Sequence, residues 1–148
     1  MKVFTKNDIS YKSLHRSVVG TDFISFRVKS DSDARIALSN IHGNLEPLAY
    51  EVHIGAAKNS KTVLLWGING EELTIHETSG ILDPYQLKAF WISWRGGLIE
   101  VGEGTEPSSD TLISWQDPNP VEINSVAVAT GLESQQGGEW EFDGDSGL

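Results

Sequence analysis

At 148 residues, 39% hydrophobic and 22% charged, the chain has the length and composition of one soluble globular domain. No apolar run reaches the roughly 18 residues of a transmembrane helix, and with no cysteine there is neither a disulfide nor thiolate chemistry. The formal net charge of −10 sits in the second half, where residues 75–148 carry two basic against thirteen acidic side chains, so a phosphate-binding surface is excluded there.

In chain order, residues 1–12 lack the apolar stretch of a signal peptide, which fits either a cytosolic (cytoplasmic) chain or one whose signal was removed. The alternation Phe23-Ile24-Ser25-Phe26-Arg27-Val28 predicts a strand, and Arg35-Ile36-Ala37-Leu38-Ser39 predicts a second after a polar turn. Tyr50, Val52 and Ile54 fall on one face of the next strand, with Glu51 and His53 on the other. Residues 61–66 and 72–76 flank Gly67-Ile68-Asn69-Gly70, and Asn-Gly is a strong hairpin dipeptide.

Asp83-Pro84-Tyr85-Gln86 reads as an N-cap followed by Pro at the first helical position, with room for one turn. Residues 90–104 alternate on both sides of Arg95-Gly96-Gly97, which predicts a further hairpin. Strands at 111–115, 121–129 and 139–143 complete the pattern.

Strands broken by turn chemistry about every ten to fifteen residues predict an all-β fold, an antiparallel sandwich with at most one short helical turn. The domain spans residues 1–143 and ends in a flexible tail at 144–148. Its expected core comprises Phe26, Val28, Ile36, Leu38, Val52, Ile54, Phe90, Ile92, Val101, Val126, Val128, Trp140 and Phe142.

Catalytic patterns fail on inspection. Gly102-Glu103-Gly104 imitates a cofactor loop, but turn residues 105–110 follow where a helix is required. His15, His42, His53 and His76 show no paired ligand spacing, and Asp31 with Asp33 lacks the rest of a calcium loop. There is no Gly-x-Ser-x-Gly elbow, and Asp145-Ser146-Gly147 lies in the tail. No catalytic residue, metal ligand or cofactor is assigned.

Five tryptophans are many for this length: Trp66, Trp91, Trp94, Trp115 and Trp140. Trp91 and Trp94 have opposite parity, so one faces the core and the other meets a second layer, a partner or a ligand. Trp66 and Trp115 stand at strand ends, where an indole can serve as a stacking platform for a sugar ring. Asn59, Arg95, Asp117, Asn119 and Glu139 supply the planar amide, guanidinium and carboxylate groups that fork onto neighbouring hydroxyls.

Residues 50–142 carry a set of ordered landmarks. These are Tyr50-Glu51-Val52-His53-Ile54-Gly55, Asn59-Ser60-Lys61, the run at 80–94 beginning Gly80-Ile81-Leu82-Asp83-Pro84, and the run at 97–104. Trp115-Gln116-Asp117-Pro118-Asn119-Pro120 and Gly138-Glu139-Trp140-Glu141-Phe142 follow. In these the chain resembles the domain named after farnesoic acid O-methyltransferase, found in arthropod proteins and in extracellular proteins of marine invertebrates. Residues 23–39 look like the same domain's first strands. One departure is Gly55-Ala56-Ala57-Lys58, where relatives often carry a Gly-Trp-Gly-like segment. The resemblance implies a lectin-like jelly roll, similar to galectin and legume-lectin sandwiches, and a secreted or extracellular setting.

Together these readings predict a non-enzymatic, carbohydrate-binding lectin whose site draws on Asn59, Trp66, Arg95, Trp115, Asp117, Asn119 and Glu139. Expected partners are glycans and further copies of the chain in a homo-oligomer; neither nucleic acid nor membrane insertion is expected. The alternative is a protein–protein interaction module that mates through a strand edge or an outward Trp91. A methyltransferase using S-adenosylmethionine stands third, on the family name alone.

Overall fold

The computed structural model describes residues 1–40 and 50–142. The expected tail at 144–148, His42 and the Asp145-Ser146-Gly147 triplet lie outside the described residues. The strands are β1 Lys2–Thr5, β2 Lys12–Ser17, β3 Phe23–Lys29, β4 Ala34–Ser39, β5 Tyr50–Gly55 and β6 Lys61–Trp66. They continue as β7 Glu71–Glu77, β8 Lys88–Ser93, β9 Leu98–Glu103, β10 Thr111–Gln116, β11 Ser125–Thr130 and β12 Gly138–Glu141.

These form two six-stranded sheets, ordered β1-β12-β3-β8-β9-β10 and β2-β11-β4-β5-β6-β7. Every pairing is antiparallel. The fold is the expected antiparallel sandwich.

The inward residues of the first sheet, among them Ile24, Phe26, Val28, Phe90, Ile92 and Val101, meet Ile36, Leu38, Val52, Ile54, Val126 and Val128 of the second. All thirteen expected core residues are buried. Phe26 anchors an aromatic group, with Trp140 and Phe142 at centroid distances of 5.6 and 5.7 Å. The buried Trp140 satisfies its only polar atom by donating from Nε1 to Thr5 Oγ1 at 2.9 Å.

Three local expectations are corrected. The Asp83 cap forms, its Oδ1 accepting from the Tyr85 and Gln86 amides at 2.7 and 3.2 Å, but a bend follows instead of a helix because β8 starts at Lys88. Residues 121–124 precede the strand instead of opening it; β11 starts at Ser125. Two strands, β1 and β2, arise in the amino-terminal segment, where polar residues hide the alternation, and both lie at sheet edges.

Of the three fates open to the outward tryptophan, Trp91 meets a second layer: it points away from the inter-sheet core yet is 0% exposed. The β9–β10 connection covers it: Trp91 Nε1 donates to Ser109 O at 2.8 Å, and the ring lies over Gly102. The outward indole finds its second layer in the same chain, so it offers nothing to another molecule.

β5 runs from Tyr50 at one end of the sandwich to Gly55 at the other, and the antiparallel pairing sorts the loops accordingly. Residues 18–22, 94–97 and 117–124 gather at the Tyr50 end, where Trp94 N binds Asp22 O and Asp117 N binds Gly97 O, both at 2.9 Å. Residues 30–33, 55–60 and 131–137 gather at the Gly55 end, joined by Asp33 N to Gly55 O at 2.8 Å and Gly131 N to Asp33 O at 2.9 Å.

A short helical turn, Ala56–Asn59, is left-handed through Ala57, Lys58 and Asn59, with φ of 51°, 59° and 61°. Such backbone costs a non-glycine residue roughly 1–2 kcal/mol. Gly55, also at positive φ, is required for a second reason: a Cβ there would stand 2.6 Å from Leu82 Cδ1.

Candidate functional site

The Tyr50 end of the sandwich holds an open cleft of about 550 Å³, lined by residues 20–22, 94–97 and 120–123. The β8–β9 hairpin builds one wall. Its tight turn at Arg95–Gly97 needs positive φ at Gly96 and Gly97 (61° and 79°), and a Cβ on Gly97 would strike Pro120 at 2.6 Å. The turn therefore seats directly against the β10–β11 loop. Trp94 forms the floor, buried, with Nε1 donating to Thr21 O at 3.2 Å.

Arg95 stands on this wall, exposed, and its Nε donates to Asp22 Oδ2 at 2.7 Å. That bond holds the Asp22 carboxyl below its ordinary pKa and raises that of the guanidinium, so both are charged at neutral pH. The single linkage leaves the remaining N–H groups of Arg95 open to a ligand.

Beside the cleft, Asp117 is buried and fully engaged. Its Oδ2 accepts from the Tyr50 hydroxyl, and its Oδ1 accepts from the Asn119 amide at 2.7 Å. Burial, followed by the bond to Asp117, pushes the Tyr50 pKa above its ordinary value and keeps the phenol a donor. Gln116 Nε2 donates to Gly96 O at 3.2 Å and Asp117 O at 3.1 Å, linking the two loops. Asp117 thus shapes the loop that presents the exposed Asn119.

Tyr50 gathers the aromatic groups. Trp66 meets its ring edge-on at 5.1 Å and Trp115 at 6.5 Å. Both indoles are half-buried against the core, each with part of the ring left to solvent.

Of the seven residues nominated from sequence, the structure brings Trp66, Arg95, Trp115, Asp117 and Asn119 to this end. The other two lie apart. Asn59 is at the Gly55 end, its amide engaged on both sides: Nδ2 donates to Leu82 O at 2.9 Å and Oδ1 accepts from Leu82 N at 3.0 Å. Glu139 lies on β12 in an ion pair with Lys29 at 3.4 Å.

Sequence reasoning passed over Asp22 and Tyr50 as site members. Their link to the loops 73 and 67 residues away arises only from folding. Among the described residues, no group of three or more His, Asp or Glu side chains is arranged to hold a metal ion.

Two curated proteins resemble the chain. "Uncharacterized protein 5" of Haliotis asinina is 26% identical over 112 residues, covering 76% of this chain and 64% of that protein. A BTB/POZ domain-containing protein of Arabidopsis thaliana is 31% identical over 72 residues, covering 48% of this chain and 9% of its own length. The chain therefore spans less than two thirds of either relative.

Among solved structures, the exoplasmic/lumenal domain of VIP36 in its Ca2+/Man3GlcNAc-bound form superposes with a TM-score of 0.58 at 9% identity, covering 99% of this chain and 81% of that one. A β-1,3-1,4-glucanase (lichenase) derived from a mouse hindgut metagenome gives 0.56 at 10% identity, covering 91% and 59%. The carbohydrate binding module CBM66 of Bacillus subtilis gives 0.55 at 10% identity, covering 90% and 74%. These likenesses establish the lectin-like β-sandwich fold. The model of one family, described as farnesoic acid O-methyl transferase, matches residues 5–146, and the chain belongs to that family.

Proposed function

We propose that this domain is a non-catalytic carbohydrate-binding module, a lectin, whose glycan occupies the cleft at the Tyr50 end. The observation that carries the reading is an open cleft of about 550 Å³ lined by Arg95, with Trp66, Trp115, Asp117 and Asn119 at the same end of the sandwich but outside its lining. A sugar ring presents an apolar face and a fringe of hydroxyls. Half-exposed indoles suit the first, and the free N–H groups of Arg95 with the Asn119 amide suit the second. The fold, shared with domains named for carbohydrate binding or holding mannose-containing ligands, adds support. Such ligands imply an extracellular or lumenal setting.

Hydrolysis of a glycosidic bond takes two carboxylates flanking it. Two carboxylates line the cleft, Asp22 and Glu122; Asp22 is held by Arg95, which leaves Glu122 without a free partner carboxylate. That arrangement favours binding over the glucanase activity named for one structure of the same fold.

A glycan array on the labelled protein, with and without EDTA, tests the proposal. Selective, sugar-inhibitable binding to one glycan family supports it, and the chelator reports any metal requirement. A blank array from folded protein overturns it in favour of a protein-interaction module. Self-association, read by light scattering, is expected alongside.

A further inference from the structure

The Gly55 end of the sandwich holds a second open cleft, of about 420 Å³, lined by Asp31, Ser32, Lys58, Glu133 and Gln135. Its walls are fixed before any ligand arrives. Asp31 accepts from the Gln135 amide at 2.9 Å and from Ser134 Oγ at 2.7 Å, which locks the loop carrying Glu133 and Gln135. Those bonds hold the Asp31 carboxyl below its ordinary pKa despite partial burial, which opposes the shift.

On the opposite side, the left-handed turn sets the exposed Lys58 at the cleft, and the two amide bonds from Asn59 to Leu82 hold that turn in place. Lys58 and Glu133 line the same cleft with opposite charges, yet neither joins an ion pair among the described residues. Pro84 O accepts from Gln136 Nε2 at 3.0 Å, which ties the bend bearing Tyr85, 87% exposed, to the same loop.

We infer that this cleft is a second carbohydrate site, one that takes a neutral sugar. Lys58 and Gln135 donate to hydroxyls, and Glu133 accepts from them. Asp31 is ionised and bonded only to neutral donors, so the lining carries two anions and one cation; that net negative charge suits a neutral polyol and repels an anionic sugar. The volume lies within the range of small-ligand pockets. The two clefts sit at opposite ends of six-residue strands, roughly 20 Å apart at about 3.3 Å per residue. One copy of the domain can then bridge two glycans.

The inference rests on the glycan-binding reading above, and one experiment separates the two. The ¹⁵N-labelled full chain is titrated, by two-dimensional NMR, with methyl α-mannopyranoside, methyl β-galactopyranoside and methyl β-glucopyranoside. We expect saturable shifts at residues 57–59 and 133–136, with Lys58→Ala and Glu133→Gln each weakening that set at least tenfold. Shifts at residues 95–97 and 119 should be untouched by these variants.

Shifts at the Tyr50 end alone overturn the second site and leave the proposed function standing. Shifts at the Gly55 end alone support the inference and overturn the first cleft as the site. Absence of shifts at both ends, in a protein whose spectrum is folded, overturns both for neutral sugars.

Discussion

The Tyr50 hydroxyl donates to the Asp117 carboxylate, joining the first residue of β5 to the loop that leaves β10 in the opposite sheet. This bond closes the sandwich behind the cleft and fixes the backbone that presents Asn119. Both partners are buried, so removing one leaves the other without its main bond.

Tyr50→Phe should therefore destabilise the fold by about 1–3 kcal/mol, the cost of an unsatisfied buried acceptor. Urea unfolding measures it. Glycan affinity should fall as well, because Asn119 loses its support. A variant as stable as the parent would show that water or another donor replaces the phenol.

Trp91 and Gly102 make a second close pair. A Cβ on Gly102 would stand 2.3 Å from the Trp91 ring, so Gly102→Ala forces the indole off the sheet. The expected cost is about 1–3 kcal/mol of overpacking strain. Displacing the ring also breaks the bond from Nε1 to Ser109 O and admits water. Tryptophan fluorescence should shift to the red in the folded variant. An unshifted spectrum would place the ring's cover elsewhere.

Where a strand is buried on one face, its alternation announces it, and the core from Phe26 to Phe142 could be read from sequence for that reason. The edges could not. β1 is only four residues long and β2 is largely polar, and both pair at a sheet edge, with β12 and β11. Glu51 shows the same limit: alternation assigns it to a polar face, yet it is fully buried.

The candidate site was nominated by residue type alone, and its grouping could not be read. Asp22 and Arg95 are 73 residues apart, and no local pattern relates them. Nor does Ala57-Lys58-Asn59 announce a left-handed turn, since it contains no glycine.

Glu51 yields a prediction in pH. Burial pushes its pKa up, but the contact with His53, the Tyr11 hydroxyl and the Asn69 amide together outweigh that and hold it below its usual 4.5. His53 Nε2 stands 2.7 Å from Oε1, off the line of an ideal hydrogen bond, while Asn69 N donates at 3.0 Å. A carboxylate with a depressed folded-state pKa adds stability above its unfolded value, and that stability is lost as pH falls through the folded value. Stability should thus be level in this respect at neutral pH and decline below pH 4.5. Glu51→Gln should flatten that decline while lowering stability at pH 7. Denaturant unfolding across pH 3–7 decides it; an unchanged acid slope would remove Glu51 as the cause.

Trp115, which stands outside the lining of the cleft, tests whether the aromatic surface beside it takes part in binding. Its ring is half-buried against Tyr50, so Trp115→Ala removes both packing and a stacking surface. Affinity for the bound glycan should fall at least tenfold. Trp115→Phe, which keeps an aromatic face, should recover part of it. Equal loss in both variants would assign the effect to packing.

Arg95 separates binding from stability more cleanly. Its side chain is 79% exposed and its pair with Asp22 lies at the surface, so the pair contributes little to folding. Arg95→Ala should leave the unfolding midpoint unchanged and weaken glycan binding at least tenfold, because the guanidinium supplies donors that no neighbour replaces. Asp22→Asn keeps a partner for Nε but frees the guanidinium from a fixed charge, so it should weaken binding less than Arg95→Ala. The two variants measured by calorimetry against the same glycan give an ordering. Equal affinity in the parent and Arg95→Ala would move the binding surface away from the β8–β9 hairpin.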